Sequence, residues 1–246
     1  MDSYRPSGFS LLTPVVKNLL LLNVACFLIS CVLEYMFGYE VSNDLGLHYV
    51  KSPSFRPVQF ISYMFMHANI EHIFFNMLAL WMFGNVLEEF WGSKKFLIYY
   101  LATGIGAGIV QVIVAYIHLQ TFTITDEMWD LVITQGDDLL RSGRNWVDDT
   151  LGSVNAIVNG STVGASGAIF GLLMAFGILF PNTEIYLYFA IPIKAKWFVL
   201  IYGLIELFSG IRNSVGDNTA HFAHLGGMIF GFILIKYWQK HGSRFL

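Results

Sequence analysis

Gly164-Ala165-Ser166-Gly167 opens an apolar run that ends at Phe180, just before Pro181. A serine among small residues, placed where an apolar helix begins, supports two readings. Small residues let membrane helices approach closely, and Gly167 and Gly171 are four apart, on one face. The same serine is also a nucleophile whose neighbours carry no side chains to obstruct a substrate carbonyl. The second reading requires a base and an oxyanion donor at the same membrane depth, and these must come from elsewhere in the chain.

The chain around it is a membrane protein by composition. Of 246 residues, 55% are hydrophobic and only 13% charged, with mean hydropathy +0.58. Its 22 phenylalanines, 12 tyrosines and 6 tryptophans suit aromatic belts at the bilayer interfaces. The net charge of -3 lacks the basic stripe of a nucleic-acid binder, so no nucleic-acid partner is expected. Cys26 and Cys31, five apart in one apolar stretch, read as small core residues and not as a disulfide.

Taken in order, the chain predicts a cytoplasmic leader over 1–14 and a membrane domain over 15–240 with six spans. Helix one covers about Val15 to Phe37, helix two Ile70 to Phe90 and helix three Phe96 to Leu119. Helix four runs from near Gly164 to before Pro181, helix five covers Trp197 to Phe208, and helix six Thr219 to Trp238. Residues 39–60 form a structured loop at the membrane surface, and Asn182 to Lys196 an interfacial segment. The remaining residues, 241–246, form a basic tail. Between helices three and four, residues 120–160 are a polar insertion. It carries Asp126, Glu127, Asp130, Asp137, Asp138, Asp148 and Asp149 against Arg141 and Arg144. Few large apolar residues cluster there, so it is expected to be peripheral, either selecting substrates or acting as a spacer.

Loop charge orients the spans. The side bearing the termini collects Arg5, Lys17, Lys94, Lys95, Lys194, Lys196, Lys236, Lys240 and Arg244. The opposite side holds only Lys51, Arg56, Arg141, Arg144 and Arg212. Both termini are therefore expected on the cytoplasmic side of the cell's inner (plasma) membrane. Helices two, four and six then run in the same direction, from outside to inside.

Shared direction brings polar residues to one depth. Helix two opens with His67, His72 and Asn76, helix four with Ser166, and helix six with His221 and His224. Each of these positions is within about two turns of the outer end of its helix. Polar groups at membrane depth are costly and mark function by default. His72 and Asn76 share a helix face and read either as interhelical hydrogen-bonders or as donors to a developing oxyanion. Gly227 and Gly231 form a close-packing ridge that carries His224 into the helix contact, so His224 is the expected base. His221 lies to one side, as a gate or hydrogen-bonding neighbour, or simply as an interfacial residue. Glu71-His72 lacks the second helical histidine of a zinc protease, so no metal and no cofactor is expected. Glu71 beside His72 aside, no carboxylate stands in helices two, four or six at that depth, since Asp217 lies in a loop and Glu206 on helix five. The expectation is a Ser–His dyad with the base oriented by packing.

With these motifs assembled, the sequence resembles the rhomboid family of intramembrane serine proteases. The resemblance rests on Gly-x-Ser-Gly at 164–167, Ala-His-Leu-Gly-Gly-x3-Gly at 223–231 and His-x4-His-x3-Asn at 67–76. It implies an all-α, six-helix membrane bundle with a water-filled cavity open to the outside. It further implies Ser166 as nucleophile, His224 as base, and His72 and Asn76 with the Ser166 amide as oxyanion site. Gly164, Gly167, Gly227 and Gly231 are implied as structural glycines. Glu88 is similar to a carboxylate that ties down the first loop. The implied partners are single-span membrane proteins in the lipid bilayer, cut near the outer end of their helix after a small residue. Two other classes compete. A catalytically silent relative would bind membrane clients uncut, but Ser166 and His224 are both present. A transporter would show paired interrupted helices, which this chain lacks.

Overall fold

The computed structural model describes residues 12–187, 190–212 and 220–241. Most of the leader, residues 242–246 of the tail, Asp217 and the expected start of helix six at Thr219 lie outside them. Ten helices, numbered here in chain order, and one small hairpin make up the described chain. The first is α1, Pro14–Phe37. Pro at the first helical position costs α1 no hydrogen bond, since that N–H would be an orphan anyway. The next two N–H groups, of Val15 and Val16, reach the carboxylate of Glu88 at 3.0 and 2.9 Å. Thr13 Oγ1 and Ser93 Oγ donate to the same carboxylate. Glu88 therefore ties the start of α1, and not the first loop, to the inner end of α4 (Ile70–Trp91) and the start of α5 (Ser93–Leu119). The physical reason is that a helix N-terminus offers unpaired donors and positive dipole, which a buried carboxylate satisfies.

The loop after α1 is folded. It contains α2 (Ser42–Leu45), α3 (Gln59–Ser62) and a single 3-10 turn, Tyr63–Phe65. Leu47 and Thr162 exchange both backbone hydrogen bonds, at 2.8 and 2.9 Å. Gly164 donates to the carbonyl of Tyr63 at 2.9 Å, and the Tyr63 hydroxyl donates to that of Gly104 at 2.7 Å. This loop thereby fixes the strand of chain that enters the Ser166 helix.

That helix, α8 (Ser166–Leu179), is the centre of the molecule. It is apolar on all sides and buried on all sides, as such a helix must be. Around it pack α4, α5, α9 (Ala195–Arg212) and α10 (His221–His241), while α1 lies against α4 and buries only Val16, Leu19 and Asn23. In lipid, helix association rests on close packing and not on hydrophobic burial, so the contacts concentrate at glycines. A β-carbon on Gly227 would meet the Gly167 carbonyl oxygen at 1.8 Å, so α8 and α10 touch backbone to backbone. One turn on, Gly231 faces Gly171, whose carbonyl accepts from Tyr99 of α5 at 2.8 Å.

Among the described residues, α1, α4 and α5 are long and apolar enough to cross a membrane. The helices α9 and α10 have 18 and 21 residues, but charged residues in the first, and histidines and glycines in the second, dilute their hydropathy. At 14 residues, α8 is about 21 Å long, short of a hydrocarbon core of about 30 Å. The interfacial segment contains an antiparallel hairpin, β1 (Glu184–Leu187) with β2 (Ile191–Lys194), pairing Glu184 with Lys194.

The polar insertion departs from its expected peripheral place. It folds as α6 (Asp126–Arg141) and α7 (Asp149–Asn159), packed together over Val132, Leu151, Val154 and Val158. That small core also takes in Tyr49 of the first loop and Leu119 of α5. Ser52 donates to Asn159 at 2.8 Å, Ser54 to Asp137 at 2.9 Å, and Arg141 pairs with both Asp137 and Asp44. Asp137 aside, the acidic residues occupy the outer faces, so composition alone conceals the apolar stripe beneath them.

Candidate active site

Ser166 is the first residue of α8 and His224 the fourth of α10. The Gly167–Gly227 contact sets their registers. Ser166 precedes one glycine by one residue and His224 precedes the other by three, so the backbone contact draws the two side chains together. Ser166 Oγ lies 2.8 Å from His224 Nε2.

The imidazole of His224 is held on both faces of the problem, in position and in tautomer. Phe170, one turn along α8 from Ser166, stacks on it with ring centres 4.2 Å apart and planes 6° from parallel. The i,i+4 spacing from Ser166 is the sequence signal for Phe170, which the motif reading missed. On the opposite edge, Nδ1 lies 2.9 Å from Glu206 Oε2, and His221 Nδ1 lies 2.7 Å from the same oxygen. Glu206 is 5% exposed. The expectation of a base oriented by packing alone is thus corrected. The carboxylate arrives from α9, a helix not among the three that share a direction, and only the α9–α10 packing reveals that it reaches the histidines.

Across the site, Gly164 has φ of +129°, and a β-carbon there would lie 2.7 Å from His72 Nε2 and 3.4 Å from Ser166 Oγ. Ala68 N–H points at His72 Nδ1 at 3.4 Å. With Nδ1 accepting, the neutral ring carries its proton on Nε2, the atom beside Gly164 and Ser166. Asn69 caps α4 by accepting from His72 N–H at 2.8 Å, which fixes the first turn. One turn further, Asn76 is buried, and its Nδ2 has no hydrogen-bond partner among the described residues. His67 packs edge-on against His72 with ring centres 5.1 Å apart. Burial first, and His72 beside it, push the His67 pKa down to about 4, so the ring is neutral at pH 7.

Among the described residues, Glu206, His221 and His224 are the one group with three metal-ligating atoms close together. Their contacts have hydrogen-bond lengths. Tetrahedral zinc with ligands at about 2.0–2.1 Å would hold its donor atoms about 3.3 Å apart. The set fits a carboxylate accepting two N–H groups better than a metal.

The chain matches the Rhomboid domain over residues 54–240. It is 32% identical over 177 residues to the rhomboid protease AarA of Providencia stuartii, covering 70% of this chain and 52% of that protein. It is 27% identical over 184 residues to the mitochondrial rhomboid protein 1 of Saccharomyces cerevisiae, covering 74% and 42%. With the rhomboid protease GluP of Bacillus subtilis it shares 29% over 168 residues, 68% of this chain and 23% of that one. The chain spans about half or less of the length of these relatives. A domain match across three quarters of the chain, carrying the glycine-flanked serine and the helix-ten histidine, makes this multi-pass membrane protein a member of the rhomboid family.

Proposed function

We propose that the chain is an intramembrane serine endopeptidase with Ser166 as nucleophile and His224 as general base. The reading rests above all on one observation: a serine hydroxyl 2.8 Å from an imidazole nitrogen, at the head of a buried helix too short to span the bilayer. Ser166 Oγ attacks the scissile carbonyl as His224 Nε2 takes its proton. The same imidazolium then protonates the leaving amine, and water releases the acyl group. The oxyanion is met by Asn76 Nδ2, by His72 Nε2–H and by the Ser166 N–H, one of the orphan donors of a helix N-terminus. Hydrolysis needs water, and on this reading water reaches Ser166 from the outer side, at the head of the short α8.

The substrates are single-span membrane proteins cut near the outer end of their helix. The protein crosses the cell's inner membrane six times with both termini cytoplasmic, on the strength of its loop Lys and Arg. Purified protein is incubated with a fluorophosphonate probe and with a labelled single-span substrate. Wild type is expected to be labelled and to cleave, and Ser166→Ala to do neither while keeping its thermal midpoint. Cleavage by Ser166→Ala overturns the assignment. A wild type that neither labels nor cleaves favours the catalytically silent alternative.

A further inference from the structure

We propose that Glu206 is a positioning residue that orients His224 and that His221 acts through it, so that the site works as a Ser166–His224–Glu206 triad braced by a second histidine. The inference deepens the proposed protease function and rests on it.

The geometry is specific. One carboxylate oxygen, Glu206 Oε2, lies 2.9 Å from His224 Nδ1 and 2.7 Å from His221 Nδ1. A carboxylate only accepts, so both rings present Nδ1–H to it. With its proton on Nδ1, neutral His224 has a lone pair on Nε2, the atom 2.8 Å from Ser166 Oγ. The tautomer a general base requires is therefore set from α9. When the serine proton moves to Nε2, the imidazolium that forms already faces an ionised carboxylate. His221, one turn before His224 on α10, occupies the other approach to the same oxygen and locks the Glu206 rotamer between α9 and α10.

This account explains why an acidic residue is buried in a membrane helix. An unpaired carboxylate there is costly, and Glu206 is tolerated because it accepts two hydrogen bonds. Among the described residues, the titratable groups around His224 are few. Tyr202 and Glu206 come from α9, His221 from α10 itself, and His72, with His67 against it, from α4. From α8 come only Ser166 and the apolar ring of Phe170. Among the described residues, Glu206 is the carboxylate in this group.

A positioning role predicts a signature that a packing role does not. The base works as neutral imidazole, and a facing carboxylate favours imidazolium. Removing that charge therefore moves the acidic limb of the kcat/KM profile to lower pH, while the maximal rate falls. Glu206→Gln is expected to lower kcat about 10²–10⁴-fold with KM little changed and the acidic limb displaced downward. Glu206→Asp keeps the charge and is expected to recover part of the rate with the limb near its wild-type pH. His221→Ala is expected to lose less, about 3–30-fold, because His224 retains its own contact to Glu206. Fluorophosphonate labelling rates across pH are measured beside cleavage, and thermal melting is measured for each variant. Glu206→Gln that melts like wild type and matches its rate and acidic limb overturns the proposal, and so does Glu206→Gln slowed with the limb unmoved. Should Glu206→Gln fail to fold, Glu206→Asp and His221→Ala carry the test: wild-type rates in both overturn it. Absence of Ser166 labelling in the wild type would instead sink the protease reading, and so the two failures are distinct.

Discussion

Gly164 and His72 are in contact at the one point where a side chain on residue 164 would sit. A β-carbon there would come within 2.7 Å of His72 Nε2, and the backbone holds φ at +129°. Both facts disfavour a side chain at this position. Gly164→Ala is therefore expected to displace the His72 ring from Ser166 and to strain the entry to α8. The backbone strain costs about 1–3 kcal/mol. Cleavage is expected to fall at least about tenfold, as for a disturbed oxyanion donor, with a smaller loss of thermal stability. Unchanged turnover in Gly164→Ala would show that His72 does not act from this position.

Asn76 has a buried Nδ2 without a partner among the described residues, an arrangement that costs stability unless something binds there. Asn76→Ala is expected to leave the thermal midpoint unchanged or raised, because no hydrogen bond through Nδ2 is lost. Turnover should nevertheless drop by roughly 10–1000-fold with KM little altered, the mark of an interaction made in the transition state. A fall in stability without a fall in kcat would return Asn76 to a purely structural role.

Glu88 predicts the opposite separation. It satisfies Val15 N–H, Val16 N–H, Thr13 and Ser93 at the inner end of α4, remote along that helix from His72 and Asn76. Glu88→Ala leaves several donors without their acceptor and should destabilise by about 2–4 kcal/mol. Activity per folded molecule should stay within about twofold, since no reacting atom is touched. Titrating folded protein by heat and counting active sites by probe labelling checks both halves. Reduced labelling of the folded fraction would tie α1 to the site.

The insertion makes a fourth case. Removing residues 125–155 would strip Tyr49 and Leu119 of Val132, Leu151 and Val154, and would leave Asp44 without Arg141. Each apolar side chain buried there contributes about 1.5–3 kcal/mol. Because the same first loop pairs with Thr162 and holds Gly164, the loss should reach the site. With Tyr49 and Leu119 both uncovered, and about 2–4 °C per kcal/mol in a chain of this size, the deletion is expected to lower the thermal midpoint by roughly 6–24 °C and to slow cleavage even of an uncharged substrate. Arg141→Ala alone should cost under about 1 kcal/mol, because the ion pair is largely solvated. If the deletion cleaves a neutral substrate at the wild-type rate, the first loop stands without the insertion.

Charge on the insertion remains a separate lever. Asp126, Glu127, Asp130 and Asp138 lie on its exposed faces, and Asn or Gln at all four should weaken any preference for basic juxtamembrane sequence. That preference should also fade as salt rises, since charges farther apart than about 8–10 Å are screened. Equal cleavage of acidic and basic substrate variants at low salt by the wild type would remove charge selection altogether.

Sequence alone determined what is local. Runs of apolar residues and their interruptions place α1, α4 and α5 to within a few residues, because a helix satisfies its own backbone and must be apolar where it meets lipid. The Gly227–Gly231 spacing likewise points His224, and not His221, at the α8 contact, because four residues return a helix to the same face. Tertiary structure alone decided what depends on contacts across elements. Glu206 meets His224 from 18 residues away, and Glu88 meets Val16 from 72. Tyr49 and Leu119 complete the core of a segment that reads as merely acidic. A buried carboxylate has no periodicity and no motif. Its partners are chosen by which helix faces lie together, and that is a property of the packed chain and not of any stretch of it.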